Sequence, residues 1–300
     1  IMRFLVFYRN ETPLHMGTGT ELGVVDLPIQ REKHTGFPKG EASSIKGTFR
    51  SISEHKDYFG KESDSESDQG EPGKICFTDA RILFLPVKSS GKELFVWVTC
   101  PFVLNRFLNE IDGSKRFENL TIKFREWEET LDDNKIIMIG KNENPGDKKI
   151  LEDFEFQVQE NKELKFPSDF IVSEKDKYLR NKIQNDIYMV SNDMFSYFCE
   201  FSTEVITRIK IGDNGVVQDG GLFTEEFLPE QTVLYNFVED MQNCDKNSFA
   251  KTILEEQGEE IKEAESNIFP RVEGMIQLGG DTTIGKGITS FVAIKTEEGK

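Results

Sequence analysis

The chain opens on MRFLVFYR at residues 2–9, a run of β-branched, aromatic and aliphatic side chains that predicts a strand. The Gly-rich ETPLHMGTGTELG that follows is a loop leaving it. In GFPKGEASSIKGTFR (36–50), Ile45 and Phe49 recur four positions apart, so a short helix is expected with Ser43 or Ser44 as its cap. Lys46 and Arg50 repeat at the same spacing, displaced by about one position around that helix. Gly47 weakens it and suits a close approach to another backbone or a ligand. ICFTDARILFLPV and ELFVWVTC read as strands joined by the KSSGK turn, and VLNRFLNEI as a helix. Residues 111–180 mix short strand-like runs with the GKNENPGDKK turn and are expected to form an insertion or second lobe. After DMFSYFCEF the period changes to two, through Val205, Thr207, Ile209 and Ile211. With the GDNG turn and the return through Val216 and Val217, this predicts a β-hairpin over 205–221. FAKTILEEQGEEIKEA at 249–264 has the pattern of an acidic surface helix, and GMIQLGGDTTIGKGITSFVAI that of a Gly-rich loop followed by a strand. Strands and helices interleaved with irregular insertions indicate the α+β class.

Composition narrows this picture. A chain of 300 residues with 37% hydrophobic and 30% charged side chains fits one foldable domain spanning 1–300 with insertions. One insertion, at 54–74, is acidic and nearly free of apolar residues, and is expected to be a disordered, solvent-exposed excursion. No run approaches the roughly 18 apolar residues of a membrane span, and no signal-peptide pattern is present, so no membrane association is expected. Cys76, Cys100, Cys199 and Cys244 are isolated, without CxxC spacing, which favours a reducing, cytoplasmic setting.

The formal net charge of -17 argues, taken whole, against a general nucleic-acid binder. Its distribution is uneven. Residues 1–50 hold seven basic against five acidic groups, a net of +2, and residues 73–106 have a net of +3. Residues 51–72 and 225–265 carry -5 and -9. Local basic tracks therefore lie between acidic segments.

Four constellations have chemical potential. His15 and Asp26 share one loop, where a carboxylate can bind a divalent ion or orient a hydroxyl and an imidazole can move a proton. Their spacing matches no metal motif, and a plain surface loop explains it as well. SSIKGTFR combines a helix start, Ser43, Ser44, Lys46 and Arg50, which suits a phosphate, although an ordinary basic helix has the same pattern. It lacks the GxxxxGK[ST] spacing of a nucleotide-binding loop. GGDTTIGKG, with Gly279, Gly280, Gly285, Lys286 and Gly287, can cradle an anion or form a tight turn. Glu225 and Glu226 are candidate accessory acids, with a solvated acidic turn as the default.

Several of these segments together resemble one family. TPLHMGTGTELGVVDLPIQREKHTGFPKGEASSIKGTFR, FTDARILFLPV with WVTCPFVLNRF, GGLFTEEFLP and IQLGGDTTIGKG are similar to the signature blocks of the repeat-associated (RAMP) proteins that form the backbone of type III-B CRISPR effectors. The resemblance implies a ferredoxin-like palm with insertions and a thumb-like hairpin, stacked in copies along CRISPR RNA beside other effector subunits in a prokaryotic cytoplasm. It implies target-RNA cleavage at regular intervals, dependent on a divalent ion, Mg2+ or Mn2+. Asp26 matches the family's catalytic aspartate and transient metal contact, and His15 its supporting histidine. Ser43, Ser44, Lys46, Arg50 and the Gly-rich loop match its RNA-binding positions, while Glu225 and Glu226 lie in its acidic segment. The family's usual aromatic residue before that acidic pair is replaced by Thr224. Two rivals are a non-catalytic RNA-binding scaffold, which retention of Asp26 disfavours, and a CRISPR RNA-maturing nuclease, from which VDLPIQRE and GGLFTEEFLP point away.

Overall fold

The computed structural model describes residues 2–20, 23–61, 70–90, 93–111, 131–139, 146–159, 166, 171–172, 176–241 and 271–296. The opening apolar run becomes strand β1 (Met2–Asn10), followed after a long loop by β2 (Lys39–Gly40) and helix α1 (Ala42–Ile52). Strands β3 (Ile75–Phe77), β4 (Ala80–Lys88) and β5 (Phe95–Thr99) lead into helix α2 (Pro101–Glu110). Next come β6 (Lys135–Ile139), β7 (Lys148–Leu151), β8 (Phe154–Val158), α3 (Lys177–Asn185), β9 (Ile187–Met189) and α4 (Asn192–Phe201). The chain continues through β10 (Glu204–Ile211), β11 (Val217–Phe227), β12 (Val233–Asp240), β13 (Arg271–Gln277) and β14 (Ile288–Lys295).

Two sheets result. The large one runs β13-β14-β1-β12-β4-β5-β9-β6-β8-β7, with β2 added at β4 and β3 at β12. β1 lies third from the β13 edge, antiparallel to β12 and β14. Phe4 to Tyr8 are buried at successive positions, as expected of a strand covered on both faces. β6, β7 and β8, from the stretch read as an insertion or second lobe, continue this sheet beyond β9, and their buried side chains join the same core. The small sheet is the β10–β11 hairpin, expected over 205–221 and longer than that at its base. On one face of it Val205, Ile209 and Leu222 remain exposed.

α1 buries Ile45 and Phe49 against the sheet, and the Phe49 ring lies 5.7 Å from Phe77 and 5.5 Å from Phe291. Full burial of one such aromatic contributes about 2–3 kcal/mol. Neither Ser43 nor Ser44 caps the helix. Glu41 occupies the cap position without a side-chain bond, and Asp79 accepts from the Ala42 N–H at 3.0 Å. Asp79 also takes Lys39 Nζ at 3.0 Å, so the β3–β4 turn supplies the cap and β2 its counter-charge.

The acidic excursion is folded at its flanks. Residues Lys56–Phe59 form a 3-10 turn with Phe59 buried, and Lys61 bridges Glu71. Phe59 packs its ring 6.2 Å from Phe77 of β3, and Tyr58 packs on the same core. Residues 62–69 lie outside the described residues, as does the acidic helix expected over 249–264. Among the described residues, no helix is long and apolar enough to cross a membrane.

Candidate nucleic-acid interface and catalytic loop

The loop between β1 and α1 does not project freely. It is clipped to the base of β11 by bridges pairing Leu14 with Leu228 and Leu27 with Glu225, and to itself by pairing of Gly17 with Ile29 and Arg31 with Pro38. Asp26 sits on this loop with its side chain exposed. Its Oδ2 accepts from the Thr224 N–H at 2.8 Å and from Thr224 Oγ1 at 2.9 Å, while the Asp26 N–H donates to Thr224 Oγ1 at 3.0 Å. The Thr224 amide, and then its hydroxyl, hold the Asp26 carboxyl below the usual carboxylate range. The departure from the family's aromatic residue thus places a hydrogen-bonding side chain beside Asp26.

Glu225 and Glu226 are not a solvated acidic turn; each is only 4% exposed. Glu226 accepts from Arg31 Nη2 at 2.5 Å, Thr203 Oγ1 at 2.8 Å and the Ile29 N–H at 3.1 Å. Glu225 accepts from Arg208 Nη1 at 2.5 Å. Arg208 also pairs with Asp281, which ties the hairpin to the Gly-rich loop. These charges can be buried because every one has a partner. The VDLPIQRE segment supplies much of the bracing. Gln30 joins Gly17 O to the Glu41 N–H, Arg31 reaches Glu226, and Glu32 accepts from Arg106 at 2.7 Å.

His15 is the junction between the loop, β11 and the Gly-rich loop. Its Nδ1 lies 2.7 Å from the Glu226 carbonyl, which can only accept, so Nδ1 bears the proton. Its Nε2 is 3.5 Å from Glu225 Oε1 and sits over Gly17, where an added Cβ would come within 2.4 Å. The His15 carbonyl accepts from the Gly280 N–H at 2.9 Å. Gly279 has φ of +75°, and a Cβ there would lie 2.1 Å from the same carbonyl, so the contact requires glycine.

These parts enclose an open groove of about 460 Å3, lined by His15, Gly17, Gln30, Gly279 and Gly280 on one side. α1 lines the other with Ser44, Gly47, Thr48 and Ser51. The structure therefore brings His15, Ser44, Gly279 and Gly280 together; Gly47 also lines the groove, but a Cβ there would meet nothing within 4 Å, so the expected close approach of another backbone does not occur. Ser43, Lys46 and Arg50 lie off this face. An added Cβ on Gly73 would lie 2.7 Å from Lys46 Nζ, so that ammonium rests on the 70–74 side. Gly285 and Gly287 shape the loop without lining the groove, and Lys286 Nζ lies 4.9 Å over the Phe227 ring at the hairpin base. Sequence reading missed Thr224 as a partner of Asp26, and Arg31, Gln30 and Asp79 altogether. The opposite charges of Arg31 and the acidic pair were the available signal.

Among the described residues, no group of three or more His, Cys, Asp and Glu side chains is arranged to hold a metal. Asp26, exposed and bound to Thr224 through Oδ2, is a single carboxylate and does not by itself make an enclosing set of metal ligands.

A large mixed sheet carrying a clipped loop with an exposed carboxylate, a projecting hairpin and a glycine-lined groove defines a class, and the comparisons agree with it. The RAMP superfamily model matches residues 8–290, and the chain belongs to that superfamily. Among its relatives is the CRISPR system Cmr endoribonuclease Cmr4 of Pyrococcus furiosus, 35% identical, with 98% of this chain and 96% of the relative covered. The CRISPR system CMR subunit Cmr4 of Saccharolobus solfataricus is 25% identical, covering 95% of this chain and 94% of the relative. The crystal structure of oligomeric Cmr4 from Pyrococcus furiosus aligns with a TM-score of 0.61 at 25% identity, over 99% of both chains. A chain of the type III-B Cmr-beta complex bound to cognate target RNA shares the fold at a TM-score of 0.71 and 22% identity, covering 98% of this chain and 97% of that one.

Proposed function

We infer that this chain is a guide-directed endoribonuclease and filament-backbone subunit of a type III-B CRISPR effector. It binds CRISPR RNA, assembles with further copies of itself and with the other subunits, and cleaves complementary target RNA at regular intervals in antiviral defence. The observation that carries this reading is the placement of the Asp26 carboxylate at the base of a projecting hairpin, on a loop that continues through Gln30 into the groove. The strand order β14-β1-β12-β4, antiparallel at every step, supports reading the palm as ferredoxin-like. Cleavage by this chain is consistent with the endoribonuclease relative, of which it spans almost the whole length.

In the mechanism that fits, the hairpin opens the guide–target duplex and turns one target nucleotide out of its stack. The 2′-hydroxyl of that ribose attacks the adjacent phosphate, the bond to the 5′-oxygen breaks, and a cyclic phosphate and a 5′-hydroxyl remain. Asp26, whose carboxyl Thr224 holds below the usual range, orients the hydroxyl and would hold a divalent ion. A divalent ion, Mg2+ or Mn2+, would supply charge neutralisation at that phosphate. His15 supports the site, since its Nδ1–H is committed to Glu226 O and its carbonyl to Gly280. Glu225 and Glu226 brace the loop. Guide RNA lies along the groove against Ser44, Gly279 and Gly280. Ser43, Lys46, Arg50, Gly285, Lys286 and Gly287 extend the contact, the cations meeting the guide backbone. Replacing Asp26 by alanine in a reconstituted complex separates this reading from a non-cleaving scaffold: cleavage is lost while guide binding and assembly remain.

A further inference from the structure

We propose that Thr224 is a positioning residue for cleavage: it fixes one oxygen of Asp26 on the hairpin, so that the hairpin's placement on RNA sets the direction of the other. This rests on the catalytic reading of Asp26 given above. The Thr224 N–H bond to Oδ2 at 2.8 Å is open to any residue but proline, whereas the two side-chain bonds need both a donor and an acceptor. The Thr224 hydroxyl donates to Asp26 Oδ2 at 2.9 Å while accepting from the Asp26 N–H at 3.0 Å, a two-way clasp that an aromatic side chain does not make. Around it the backbone is stitched as well, with Leu27 N–H to Thr224 O at 3.0 Å and Glu226 N–H to Leu27 O at 3.0 Å. The loop and β11 therefore move as one unit at this point.

Thr224 pairs with Thr207 across the hairpin, and two residues nearer the tip Leu222 pairs with Ile209. Leu222 and Ile209 are 65% and 52% exposed, apolar on the same face as Thr224. A surface suited to nucleobases thus runs from the hairpin to the Asp26 clasp without an intervening element. Both strands of that path are continuous β-structure, so displacement of the hairpin is carried to the carboxylate directly.

The test compares wild type, Thr224→Val, Thr224→Ser and Asp26→Ala in reconstituted guide-loaded complexes, with single-turnover cleavage of complementary RNA followed across target concentrations. Valine keeps the shape and removes both hydroxyl bonds. The maximal rate should fall about 10-fold or more from misplacement of the carboxylate. The half-saturating target concentration and the amount of assembled complex should not change, and serine should recover most of the rate. A wild-type rate in T224V beside an inactive D26A overturns the positioning role and leaves the catalytic reading standing. So does a loss in T224V that is carried by weaker target binding or failed assembly, or one that serine does not recover. Full cleavage by D26A removes the catalytic reading itself, and this role with it.

Discussion

Glu225 and Glu226 are adjacent in the chain, yet β-strand alternation sends them to opposite faces of the hairpin base. Glu226 meets the loop through Arg31 and Ile29, and Glu225 meets Arg208 and His15. Removing Glu226 leaves a partly buried guanidinium without its carboxylate. E226A should therefore lower unfolding stability by about 3 kcal/mol, read as a shifted urea midpoint with unchanged slope. An unchanged midpoint would show that Glu226 does not hold the loop. Asp26 and His15 could be named as candidates because they sit in a signature block, and both fall on the loop clipped to β11. The burial of Glu226 was not legible, since its partner Arg31 lies 195 positions away. The sequence displays the two charges but no register to bring them together.

At the scale of elements, local period was a reliable guide and long-range supply was not. The alternation through Val205, Thr207, Ile209 and Ile211 identified the hairpin because a surface strand has its period in its own side chains. The Ile45 and Phe49 spacing identified α1 for the same reason. What caps that helix was hidden, because Asp79 arrives from a turn 37 positions away. D79A should cost about 1 kcal/mol of stability, as loss of a helix cap does. It should not reduce cleavage per assembled complex, because Asp79 is absent from the groove lining. A cleavage defect larger than the folding defect would mean that the cap governs the groove. Residues 111–180 resisted reading because β6 pairs out of chain order, parallel to β8 and antiparallel to β9, while β9 itself lies parallel to β5. Such pairing leaves little local trace.

For the whole molecule, the net charge of -17 gave the least direct guidance. A filament subunit needs a basic track only where the guide lies, and the +2 of residues 1–50 includes Lys46 and Arg50 on α1. The acidic remainder limits indiscriminate RNA binding by a lone copy. K46A should weaken guide retention and reduce the salt slope by about 0.7 per copy engaged, the value for one phosphate contact on a single strand. Guide affinity with an unchanged salt dependence would place Lys46 away from the phosphates.

The central claim is that Asp26, held at the hairpin base, directs RNA cleavage. It is tested most directly by incubating reconstituted wild-type and D26A complexes with complementary RNA on a denaturing gel, with Mg2+, with Mn2+ and with a chelator. Wild type should give regularly spaced products in the presence of a divalent ion, and D26A complexes of equal guide content should leave the target intact. Regularly spaced products of equal yield from the D26A complex would contradict that claim.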